Sequence, residues 1–186
     1  MMMATTNSIP AMVAAETRSH TLKTMALPQI VTIGVYGFDE ARFFQRLREA
    51  KVDLFVDIRR RRALRGARYA FANSRRLQAR LAELDIRYEH RLDLAPSNRT
   101  RQIQDIYDRI NKHTKRERTH LSSAFAEAYR RECLTHFDIH NFLASIGPDV
   151  KTIAFFCVEC EPRACHRSLV AEQFADVGAP VVHLFP

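Results

Sequence analysis

The chain has 186 residues, 46% hydrophobic and 27% charged, with 5 Gly and 7 Pro. At ~100–200 residues per domain this is one domain plus a little extra, long enough to bury a sizeable core. The balance excludes collagen-like, low-complexity and mostly disordered chains. The net charge of +8 is unevenly spread: residues 59–101 carry 13 Arg against four acids, and the remainder is close to neutral. Charge gathered in one segment fits an anionic partner; a GC-rich genome, which enriches Arg without any function, is the competing explanation. No apolar run approaches the ~18–20 residues of a membrane span, so no membrane contact is expected. Four cysteines, Cys133, Cys157, Cys160 and Cys165, occur without a secretory signal. That combination points to a reducing, cytoplasmic location and to thiols rather than disulfides.

In chain order, residues 1–28 read as a disordered tail, with Met25 as a later possible start. The run 30–36 is a β-branched strand ended by Gly37. Asp39 opens a helix over about 39–50, with Phe43, Phe44 and Leu47 on one face. A second buried strand covers 53–58, followed by a basic loop over Arg59–Tyr69. Asn73 or Ser74 caps a helix running to Leu84. A third strand covers 86–90. Residues 97–146 carry no strand signal and read as a helical insertion, about 101–112 and a broken stretch over 120–145. The strongest strand is 151–157. A loop through Pro162 leads to a helix near 164–177, stopped by Gly178, and a last strand covers 180–185. Strand–helix alternation of this kind predicts a single α/β domain over 29–186, a mostly parallel sheet covered on both faces.

Ligands of such sheets bind beyond the carboxyl ends of the strands. That rule selects Tyr36, Asp57, Arg59, Cys157, Glu159 and the helix start at Cys165, His166 and Arg167. Free N–H groups at a helix start, with Arg59 and Arg167 beside them, form an anion site. A cysteine there gains thiolate character, and His166 can move a proton. Asp57 and Glu159 are a candidate acid–base pair, unless Asp57 simply orients an Arg. Packing and solvation are the plain alternatives for the cysteines and arginines.

The pattern Cys157-x-Glu159-x-x-Pro162-x-x-Cys165-His166-Arg167-Ser168-Leu169, followed by Ala171-Glu172, resembles the domain-of-unknown-function family DUF488. So do Thr32 to Gly37, Phe55 to Arg59 and Ile86 to His90, in the same order along the chain. The resemblance implies a Rossmann-like three-layer α/β fold and a shared polar site, without a settled activity. The chain departs from the family where Arg60 to Arg65 replace a loop that usually contains Pro.

Four chemistries compete at the cysteine segment. One is a phosphate or nucleotide site. A second is a phosphatase loop from Cys157 to Arg163, which lacks the glycines that let backbone N–H groups cradle a dianion. A third is zinc on Cys157, Cys160, Cys165 and His166, disfavoured because adjacent residues such as Cys165 and His166 rarely converge on one ion. The fourth is a Cys157–Cys160 redox pair. The resulting expectation is a protein that recognises a phosphate-bearing ligand, DNA, RNA or a nucleotide, without metal or other cofactor. Arg59, Arg167 and Tyr36 would hold the anion. Arg60, Arg61, Arg62, Arg65 and Arg68 would hold nucleic acid; about five phosphate contacts give a salt slope of roughly −4 to −5 on duplex DNA. The alternative is a cysteine-dependent enzyme using Cys157 or Cys165 with His166, Asp57 and Glu159. The sequence does not give the oligomeric state.

Overall fold

The computed structural model describes residues 26–114 and 117–186; most of the expected N-terminal tail lies outside the described residues. Among the described residues, short apolar runs form β1 (Gln29–Gly34), β2 (Leu54–Asp57), β4 (Thr152–Cys157) and β5 (Val181–Leu184), and the mostly polar, partly exposed Arg87–His90 forms β3. They pair in the order β3-β2-β4-β1-β5, every pairing parallel. The central β4 is buried at all six positions, as a parallel strand covered on both faces must be.

Alternation along β4 sends successive rings to opposite sides of the sheet. Phe156 meets Phe43 of α1 (Glu40–Glu49) and Phe55 of β2, with ring centroids 5.6 and 5.0 Å apart. Phe155 meets Phe174 of α6 (His166–Asp176) and Phe142 of α5 (Ile139–Ile146) at 5.3 and 6.3 Å. This is a Rossmann-like three-layer α/β architecture. Truncating a ring of this kind to Ala costs about 3–5 kcal/mol.

The local signals act mostly as read. Asp39 caps α1 through a bond from the Arg42 N–H, 2.8 Å. Asn73 occupies the cap position of α2 (Ser74–Ala82), yet its side chain accepts from Leu64 N–H instead and ties down the basic loop. The end of that loop forms a 3-10 turn over Ala67–Ala72. Between β3 and β4 lie α3 (Asn98–Ile110), α4 (Ser123–Tyr129) and α5, with a π turn over Arg130–Leu134 following α4. The expected stretch 120–145 is thus two helices. Among the described residues no helix is long and apolar enough to cross a membrane.

Two departures from simple amphipathic patterning position the site. α6 is buried from His166 to Ala171 without a break, because the insertion covers the face that the sheet does not. In α3 the inward residues are Thr100, Gln104 and Asp108, while Ile106 and Ile110 face outward, 53% and 74% exposed.

Candidate functional site: an arginine-lined cleft over a thiol pair

A cleft of about 210 Å³ opens beyond the C-terminal ends of β2 and β4. The sheet supplies its floor, and the insertion supplies its wall through Arg101 and Gln104 of α3, Arg118 and Phe125.

The floor starts with Asp57, the fully buried last residue of β2. The backbone N–H and Nε of Arg59 donate to Oδ1 at 3.1 and 2.9 Å; Arg59 Nη2 and the Tyr88 hydroxyl donate to Oδ2 at 2.7 and 3.0 Å. Four donors on one buried carboxylate compensate its desolvation. The guanidinium lies over the Phe156 ring, 4.4 Å from its centroid. Arg59 is only 3% exposed, and its remaining nitrogen, Nη1, is buried without a hydrogen-bond partner among the described residues. His90 Nε2 donates to the Arg59 carbonyl at 2.9 Å and fixes the backbone there.

The loop after β4 is held by Arg167, whose Nη1 and Nη2 donate to the carbonyls of Glu159 and Cys160 at 2.6 and 2.7 Å. Gly34 makes room for it: a Cβ there would stand 1.7 Å from the Glu159 carbonyl oxygen. Arg167 was expected on the anion. Instead it is 0% exposed and bound to the loop it braces, because the first turns of α6 are covered on every side and leave its side chain no route to solvent.

That bracing returns Cys165 to Cys157. The Sγ atoms of Cys157 and Cys165 lie 3.9 and 4.0 Å from His166 Nδ1, and the three groups fall within 4.8 Å of one another. The expectation that Cys165 and His166 diverge is corrected here. Cys165 is extended (φ −140°, ψ 140°) and His166 begins α6, so the change of backbone conformation turns neighbouring side chains to one side. Cys160 stands outside the cluster. His166 Nε2 is 3.1 Å from the Ile58 carbonyl, which can only accept, so Nε2 carries the proton and Nδ1 keeps its lone pair; the Cys157 sulfur lies beside the ring, 4.0 Å from Nε2 as well. Tyr129 packs its ring 5.2 Å from the imidazole and donates its hydroxyl to the Leu94 carbonyl. Burial opposes a charge on Cys165. The Cys157 hydrogen bond, the Arg167 charge and His166 outweigh it and hold the thiol well below its ordinary range.

The wall is a buried polar chain that the sequence reading did not find. Ser122 N–H donates to Gln104 Oε1 at 2.8 Å, Gln104 Nε2 to Asp108 Oδ1 at 2.7 Å, and Arg118 Nε to Asp108 Oδ2 at 2.9 Å. Arg118 Nη1 then reaches Glu159 Oε1 at 3.7 Å, joining the insertion to the floor. Polar residues at i, i+4 and i+8 of α3, with Ile106 and Ile110 off that face, are the signal that marks it. Asp57 and Glu159, read as an acid–base pair, each have a cation of their own here.

The other expected residues divide. Arg60 donates to the Pro96 and Ala95 carbonyls at 2.7 and 2.9 Å, and Arg62 to the Tyr88 hydroxyl at 3.4 Å. Arg61, Arg65 and Arg68 are exposed, Arg68 over the Tyr69 ring. Tyr36 is half-buried beside Tyr69, ring centroids 5.3 Å apart, and does not line the cleft.

Comparison with known proteins gives one family: the model described as Domain of unknown function DUF488 matches residues 40–174. No curated protein and no solved structure matches the chain.

Proposed function

The chain belongs to the DUF488 family, whose description assigns no activity, and we propose that its cleft binds a phosphate-bearing ligand, a nucleotide or the phosphates of a nucleic acid. One observation carries the reading: Arg59 Nη1, in the cleft floor, is a buried, cationic donor without a hydrogen-bond partner among the described residues. A buried unsatisfied donor is costly, and an anion oxygen removes that cost. The surroundings agree. Among the described residues five arginines line the cleft against two carboxylates, Asp105 and Glu159; Asp57 beneath the floor and Asp108 behind the wall are further counter-charges, which leaves it net positive. The room suits a phosphoryl group and its near neighbours rather than a large apolar ligand.

Arg61, Arg65 and Arg68 continue the basic surface outward along one loop. Arg60 and Arg62 are engaged with the protein, so three phosphate contacts replace the five read from the sequence. The expected salt slope on duplex DNA becomes about −3.

Calorimetric titration of inorganic phosphate, a mononucleotide and short DNA and RNA oligonucleotides at low salt tests the reading. Saturable binding is expected, weakened about tenfold or more when Arg61 and Arg101 are both replaced by Ala, a change of ~1.4 kcal/mol. No saturable heat with phosphate or nucleotide, together with no nucleic-acid binding below ~100 µM, overturns it.

A further inference from the structure

The floor of the cleft brings together more than an anion requires. Two thiols and an imidazole nitrogen, from the end of β4 and the start of α6, converge within 4.8 Å and line the same opening as Arg59. Zinc bound tetrahedrally, with Zn–S of about 2.3 Å and Zn–N of about 2.0–2.1 Å, holds a sulfur and a nitrogen roughly 3.5 Å apart. The Cys165 sulfur, 4.0 Å from Nδ1, exceeds that by about half an ångström; the Cys157 sulfur, 3.9 Å from Nδ1 and 4.0 Å from Nε2, lies beside the ring, and a turn of its side chain toward Nδ1 is what binding requires. The imidazole is already in the ligating tautomer. Its Nε2–H is committed to the Ile58 carbonyl, the backbone contact that metal-bound histidines commonly make with their second nitrogen. Tyr129 on one side and the Arg167-braced loop on the other hold the ring and Cys165 in place.

We infer that Cys157, Cys165 and His166 form a three-ligand centre for a thiophilic divalent cation, Zn²⁺ in the first place, whose fourth position opens into the arginine-lined cleft. The donor set selects the ion: two sulfurs and an imidazole suit zinc and disfavour magnesium and calcium, which take oxygen ligands. Both cysteines bind as thiolates, any remaining thiol proton going to solvent, so the dication and two thiolates form a neutral unit. Three protein ligands with an open fourth site is the arrangement of a reactive rather than a closed structural zinc. The fourth ligand is a water or an oxygen of the cleft's anion. The metal itself stands apart from the anion reading; only the identity of an anionic fourth ligand rests on it. The Cys157 and Cys160 spacing, which the eye takes from the sequence first, does not supply the pair.

The test uses the full chain, reduced and freed of metal by chelation, with Co²⁺ as the probe and no phosphate present. One equivalent of Co²⁺ is expected to give a thiolate-to-cobalt charge-transfer band and intense tetrahedral ligand-field bands, both discharged by Zn²⁺. Cys160→Ser keeps the spectrum; Cys157→Ser and Cys165→Ser each lose most of the charge-transfer intensity. X-ray absorption of the wild-type zinc form, which needs no variant to fold, is expected to show two sulfur ligands and an imidazole. No charge-transfer band, a spectrum unchanged in both serine variants, or a zinc shell without sulfur overturns the proposal. So does equal alkylation of Cys157 and Cys165 with and without zinc, which would leave them as free thiols. Phosphate binding by the metal-free protein is read separately, so failure here and failure of the anion reading are distinguishable.

Discussion

The floor and the wall of the cleft are built on opposite plans. The floor grows from an apolar body: β2 and β4 run buried to their ends, and the polar groups appear where the strands stop, at Asp57, Arg59, Cys157 and Cys165. The wall reverses the usual helix, with Thr100, Gln104 and Asp108 inward and Ile106 and Ile110 outward. One side is therefore held by the hydrophobic effect and carries its polar site at the edge. The other is held by a hydrogen-bonded chain through Gln104, Asp108 and Arg118 that reaches Glu159. Polar networks of this kind depend on every member being satisfied.

The largest effect is expected in the floor. Asp57→Ala leaves the Arg59 charge buried and uncompensated and lowers stability by about 3–5 kcal/mol in urea unfolding. Gln104→Ala in the wall removes the acceptor of Ser122 N–H and one donor to Asp108, a loss of about 1–3 kcal/mol. If the two losses came out in the reverse order, the wall and not the sheet would be what holds the cleft.

A smaller, pH-dependent difference separates wild type from Cys133→Ala. Burial, with Glu132 adding to it, pushes the Cys133 thiol up to about 12. Above pH ~9 the unfolded chain loses that proton while the folded one keeps it, so the unfolded state binds fewer protons and folding stability falls as pH rises toward 12. Wild type should lose stability relative to Cys133→Ala over that window and keep a constant difference from it below pH 8; unfolding midpoints at pH 7, 8 and 10 check this. The smallest effect belongs to Ile110→Ser. A residue 74% exposed on the outer face of α3 should change stability by no more than ~0.5 kcal/mol. A loss of several kcal/mol there would mean that the apolar face of α3 is covered in solution.

The same contrast explains what could be read from the sequence. Four of the strands carry β-branched or aromatic runs of strand length, β3 alone being mostly polar, and Asp39 and Gly178 act where they stand. The floor residues were found because the strand-end rule needs only the strand boundaries. The wall was not, since hydrophobic periodicity assigns Ile106 and Ile110 to the core and Gln104 and Asp108 to solvent. The role of Arg167 was missed for a related reason. A first-turn arginine reads as an anion ligand until the neighbouring loop is seen to offer it two carbonyls. The convergence of Cys165 and His166 depends on one extended residue before the helix, which spacing alone does not reveal.

In the function proposed above, floor and wall meet on one anion, with Arg59 Nη1 as its buried donor. A crystal of the protein soaked in tungstate, a phosphate analogue that scatters anomalously, tests this most directly. The predicted result is an anomalous peak in the cleft, within hydrogen-bond distance of Arg59 Nη1 and with Arg101 closing on it from α3. A peak confined to the exposed loop of Arg61, Arg65 and Arg68, with none at Arg59, would contradict it.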